Sequence, residues 1–241
     1  MSRAARLVLL TQLVGNAVLL WMGYYWLGLA ESRSSTLLWS AFIALATVSL
    51  ACWLHGATFT FFRGAGHRPA PFRSTLRNLP PLVLSALAAL ALYLLVARWS
   101  DSLPAGAARV ASFLTLTFRK PVKPATALRV FGDAFWLLQW VLLPVLLIPL
   151  FAGVSSRGWR GFREFGSLAR KRLYWLQAPF LLICAVWIPL RLLGWVPHVG
   201  GFALETISFV IRAAAAYLLF VAACLLLAFL TARGKAIQTG A

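Results

Sequence analysis

Long stretches without a charged side chain alternate with short arginine-rich ones along the whole chain. A helix that crosses the hydrocarbon core of a bilayer needs about 20 mainly apolar residues, because each rises about 1.5 Å across about 30 Å. Six windows meet that need: residues 7–30, 37–62, 81–97, 134–153, 173–190 and 211–232. They are rich in Leu and Ala and lack the short alternating pattern of a membrane β-strand, so they predict helices and not a barrel. The first window follows Arg3 and Arg6 and ends on "GLA" at 28–30, as a secretory signal does. Its apolar run is far longer than the roughly 7–15 residues of a signal core, so it reads as a retained helix. The predicted fold class is an all-α integral membrane protein of six transmembrane helices, one polytopic domain over residues 1–241.

The connecting segments carry a different periodicity. Within the long loop 98–133, Leu103, Ala107, Val110, Leu114 and Phe118 recur at helical spacing, but Arg109 sits among them. A central arginine costs about 2.5–3.5 kcal/mol even on the lenient insertion scale, so 103–118 is expected to lie at the interface or to re-enter partway, not to span. "RKPVKP" at 119–124 should break the helix, because proline removes a backbone donor and clashes with the preceding turn. In 157–175, a helical projection places Phe162, Phe165, Leu168 and Ala169 on one face and Arg160, Arg163, Glu164, Ser167, Arg170 and Lys171 on the other, with Arg172 on the wrong side. "PFRSTLRNLP" at 71–80 repeats the pattern, with Phe72, Leu76 and Leu79 opposite Arg73 and Arg77. Both are expected to be short interfacial amphipathic helices.

Charge sharpens this picture. The chain has 23 Lys and Arg against 5 Asp and Glu, a net of +18 at pH 7. With both termini cytoplasmic, most of the cations fall in inside segments, while Glu31, Asp101, Asp133 and Glu205 fall outside, as the positive-inside bias requires. The cations at 98–133 run against that bias. So basic a surface tethered at headgroup level implies anionic phospholipid as the partner, with Arg73, Arg77, Arg160, Arg163, Arg170 and Lys171 as headgroup contacts. Nucleic acid is not expected, because no segment is long enough to fold into a presenting surface outside the bilayer. The localisation expected is the cell (cytoplasmic or inner) membrane.

Candidate chemistry is sparse. The neutral polar residues within the windows are Gln12 and Asn16, four apart on one face, then His55, Gln139 and Gln177, all of the kind that packs helices through hydrogen bonds. Arg212 stands inside the edge of the last window, where Asp133 or Glu205 could pair with it. Cys52, Cys184 and Cys224 lie deep in apolar runs without metal or redox spacing. Pro144, Pro149, Pro179 and Pro189 should kink the fourth and fifth helices and could open a cavity between them, faced by His55, Gln139 and Gln177. No nucleophile elbow, zinc-protease, phosphate-loop or EF-hand pattern occurs, and no cofactor or metal is implied. The expectation is therefore a non-catalytic accessory, scaffold or assembly component contacting anionic lipid, with a membrane-protein partner or a second copy as what it would assemble with. A small-molecule or lipid transporter is the first alternative, and a lipid-modifying enzyme at the outer acids the second.

Overall fold

The structure, a computed structural model, describes residues 3–30, 33–64, 71–164, 172–196 and 201–236. Among these there are helices and connecting turns and no strand: α1 (Arg3–Leu27), α2 (Ser34–Arg63), α3 (Pro71–Arg77), α4 (Leu79–Ser100), α5 (Leu103–Phe118), α6 (Pro124–Leu137) and α7 (Leu143–Arg157), then α8 (Arg172–Gly194) and α9 (Phe202–Ala236). A π-helical turn, Leu138–Leu142, joins α6 to α7, and a 3-10 segment, Gly158–Glu164, follows α7. Six helical runs are long and apolar enough to cross a membrane, so the chain is an all-α, multi-pass membrane protein.

Prolines place the helix starts. Pro71 opens α3, and Pro80–Pro81, Pro104 and Pro124 stand in the first turns of α4, α5 and α6, where the missing N–H would have had no partner. Alpha-helix α5 stops where Arg119 turns left-handed at φ 53°, just before Pro121. Pro144 acts differently. Its ring would clash with the carbonyl four residues earlier, at Trp140, and the chain absorbs this as the π turn at 138–142 instead of breaking.

The distribution of polarity is the reverse of that in a water-soluble domain. Leu38, Leu95 and Phe180 are 70%, 67% and 68% exposed, whereas Gln12, Thr60, Thr75 and Ser155 are fully buried. Such a surface is stable only against lipid, where backbone groups are satisfied within helices and the small polar groups bond between them.

Alpha-helix α2 is the hub. It runs antiparallel to α1, with Trp26 Nε1 donating to Ser40 Oγ at one end (2.9 Å) and Gln12 Nε2 to Thr58 Oγ1 near the other (2.5 Å). Arg63 at its last turn donates to the carbonyl of Ala152 and to Ser156 Oγ on α7, and Phe62 meets Phe229 of α9 at 5.9 Å. The start of α1 and the ends of α2, α7 and α9 thus share one end of the bundle, with α3 and the start of α4. This end carries Arg6, Arg63, Arg73, Arg77, Arg157, Arg160 and Arg163 and is called the basic end below. A separate apolar core forms where Val141 and Val145 meet Tyr174, Ala178 and Leu182 of α8 and Leu227 of α9.

Two helix boundaries differ from expectation. The helix that holds the fourth window starts before it: helical structure begins at Pro124 and continues through the π turn into the 3-10 segment, a run of 40 residues to Arg163. Arg129 and Asp133 end an apolar window without ending a helix. The basic stretch after α7 does not start as an α-helix, since 158–164 is 3-10. Gly158 at φ 58° reverses the chain, and Gly161 then lies so close to α7 that a Cβ on it would fall 2.4 Å from the Gly153 carbonyl carbon. The remaining expected helical residues, Arg170 and Lys171 included, lie outside the described residues.

Candidate functional site

Three features of α2 define the site. On its α1 side is a buried polar ladder. Gln12 Nε2 also donates to the Leu54 carbonyl at 3.2 Å, and Asn16 Nδ2 donates to the Gln12 carbonyl at 2.8 Å and to Gln12 Oε1 at 2.7 Å. Gly15 faces Leu54 so closely that a Cβ there would come within 2.7 Å of Leu54 Cδ2, so the small residue sets the spacing at which the ladder closes. The expected face of Gln12 and Asn16 is thus a helix-packing device.

On the opposite side, Gly56 lets α3 and α4 approach. A Cβ there would stand 2.8 Å from Thr75 Cγ2 and 3.1 Å from Leu82 Cδ1. Thr75 pairs with Thr60 at 3.2 Å and donates back to the Pro71 carbonyl at 2.9 Å, while Trp53 Nε1 donates to the Phe72 carbonyl at 3.2 Å with the two rings 5.4 Å apart. These contacts clamp the seven-residue α3 to α2. Its expected apolar face is only half used, since Phe72 packs but Leu76 is 58% exposed. Arg73 and Arg77 are exposed, as are Arg160 and Arg163 on the 3-10 segment. Asn78 Nδ2 donates to the Ser155 carbonyl at 3.0 Å, tying the α3–α4 turn to α7 beside that segment.

Next to this clamp is a recess of about 340 Å³ between α2, α4 and α7. Val48, Ala51, Cys52, His55, Gly56 and Phe59 form one wall, Leu82 and Ala86 of α4 the second, and Ile148 and Phe151 of α7 the third. Its lining is apolar, and His55, which stands in it, makes no imidazole hydrogen bond among the described residues. The recess is not the cavity expected between the fourth and fifth helices and faced by His55, Gln139 and Gln177 together. Gln139 lies on the π turn and Gln177 on α8, and neither lines the recess. The small side chains of Ala51 and Ala86 stand in its walls.

Arg212 is the buried cation of the opposite end, 9% exposed. It forms no pair with Asp133, which is exposed. Its Nη1 donates instead to the carbonyls of Leu192 (3.2 Å), Leu193 (3.4 Å) and Trp195, and its Nε to that of Ser208 (3.2 Å). The last carbonyls of a helix have no partner within it and carry a partial negative charge, so the guanidinium closes the end of α8.

Among the described residues, no three His, Cys, Asp or Glu converge as metal ligands would. Compared with protein-family models, with curated proteins and with solved structures, the chain matches none.

Proposed function

We propose that this multi-pass protein is a non-catalytic accessory or scaffold component of the cell membrane whose basic end faces the cytoplasm and engages anionic phospholipid headgroups. One observation carries this reading: Arg73, Arg77, Arg160 and Arg163 are all exposed at the same end of the bundle, on two short elements flanking the Asn78–Ser155 hydrogen bond. Each cation close to an anionic leaflet contributes about 1 kcal/mol, so four supply at most about 4 kcal/mol before screening. The rigid seating of α3 on α2 favours this reading further, because it holds two of these cations in place before any lipid arrives.

The test is native mass spectrometry of the protein released from nanodiscs containing equal phosphatidylglycerol and phosphatidylcholine. Retained adducts are expected to be mainly phosphatidylglycerol. Changing all four arginines to Gln should bring the two lipids to parity without loss of folded protein. Parity in the unaltered protein would sink the proposal.

A further inference from the structure

We infer that the recess between α2, α4 and α7 is a slot for one acyl chain of a phospholipid, with the His55 imidazole N–H donating to the ester carbonyl at the head of that chain. The inference rests on the proposed engagement of anionic headgroups by the basic end and adds where the rest of the molecule goes.

The recess lies within three membrane-spanning helices, and its walls are apolar over residues 48–59 of α2, a rise of about 16 Å. A polar ligand would lose its hydration here without recompense. A neutral imidazole carries one N–H donor and one acceptor nitrogen, and at His55 neither is used by the protein. Leaving such a group unpaired at membrane depth is costly, so the natural occupant is mostly hydrocarbon with a single acceptor.

Position along α2 selects the ester-linked lipid. His55 is eight residues, about 12 Å, from Arg63 at the basic end of the helix, so a phosphate at the level of the arginines brings a glycerol ester towards the imidazole. The chain then continues past Cys52 and Ala51 towards Val48, where nothing but hydrocarbon lines the wall. Thr75, which touches Gly56 in that wall, seats α3 beside the recess, and Arg73 and Arg77 stand on the outer, exposed face of the same short helix. A basic end above, an unused donor at His55 and a hydrocarbon wall beyond it match a glycerophospholipid in that order.

The experiment uses the full-length protein in nanodiscs containing phosphatidylglycerol with a photoactivatable diazirine at mid-chain, and a parallel sample with the same label in phosphatidylcholine. Cross-linked peptides are mapped after photolysis. Labelling is expected to concentrate on residues 48–59 and on Phe151, several-fold above the lipid-facing residues 90–95 of α4. Ala86→Phe, which fills the slot, should lower the slot labelling about tenfold, and His55→Leu, which keeps side-chain bulk but removes the donor, about fivefold. Ala86→Ser should leave it unchanged. Labelling spread evenly over all lipid-facing helices, or insensitive to both Ala86→Phe and His55→Leu in folded protein, overturns the slot. Slot labelling that is equal for the two lipids overturns the anionic-headgroup reading while leaving the acyl slot supported. Preference for phosphatidylglycerol without slot labelling does the reverse.

Discussion

Replacing Arg212 by Met tests whether helix ends, not side-chain carboxylates, hold the α8–α9 pair together. Methionine keeps much of the aliphatic stem and removes the guanidinium, so the change isolates the four carbonyl contacts to Ser208, Leu192, Leu193 and Trp195. A hydrogen bond to a charged group contributes about 1.5–3 kcal/mol when buried. Leu193 and Trp195 are 41% and 61% exposed, so interfacial water takes over part of what their carbonyls lose, and the Ser208 carbonyl belongs to the same helix as the arginine. The expected loss is therefore about 2–3 kcal/mol, not the sum of four bonds. Lysine, a single point donor on a flexible stem, should recover no more than about half. Reversible unfolding in mixed micelles, titrated with denaturing detergent and followed by tryptophan fluorescence, measures these differences. Asp133→Asn should leave the midpoint unchanged. If it costs as much as Arg212→Met, or if exchanging the charges of Asp133 and Arg212 restores stability, the carbonyl-cap explanation is wrong.

Two further outcomes follow from packing. Gly161→Ala should dislodge the 3-10 segment, because its Cβ would lie 2.4–2.5 Å from the Gly153 and Val154 backbone; a loss of about 1–3 kcal/mol and new protease sensitivity near Arg160 are expected, whereas Gly132→Ala in the open interior of α6 should be neutral or stabilising. In a double-mutant cycle, Gln12→Leu and Thr58→Val should couple by about 0.6–1.7 kcal/mol through their 2.5 Å hydrogen bond, and additivity would show that the polar ladder does not bind α1 to α2.

The spans were legible because hydropathy over 20 residues reports a property that each helix must possess by itself. The stripe over 103–118 was legible only in part: Ala107 is buried and Leu103 and Leu114 half-buried, but Val110 and Phe118 are exposed and Ala111, outside the stripe, is buried. Properties that arise only between elements were not legible. The early start at Pro124 was hidden because a charge ends a hydrophobic window but not a hydrogen-bonded helix. The partners of Arg212 were hidden because backbone carbonyls leave no mark in a sequence, and a search among side chains finds Asp133 instead. The recess depends on how three helices meet around small residues such as Ala51 and Ala86, so His55 could be named but its surroundings could not. Gln139 and Gln177 looked equivalent to His55 as polar letters in greasy runs, and the packing places them elsewhere.

The helical run from Pro124 to Arg163 has a geometric corollary. The chain doubles back at Gly158, so the rod itself runs from Pro124 to Arg157, about 50 Å against an oily layer of about 30 Å. Trp99 in the last turn of α4 meets Phe135 at 5.1 Å, so the part before Phe135, about 16 Å, continues past the end of α4. Because Ala107 and Ala111 pack α5 alongside α6, the projecting part is braced as a two-helix mast whose tip bears Arg119, Lys120 and Lys123. The bundle is therefore taller at α5 and α6 than at α4, by roughly ten residues of helix.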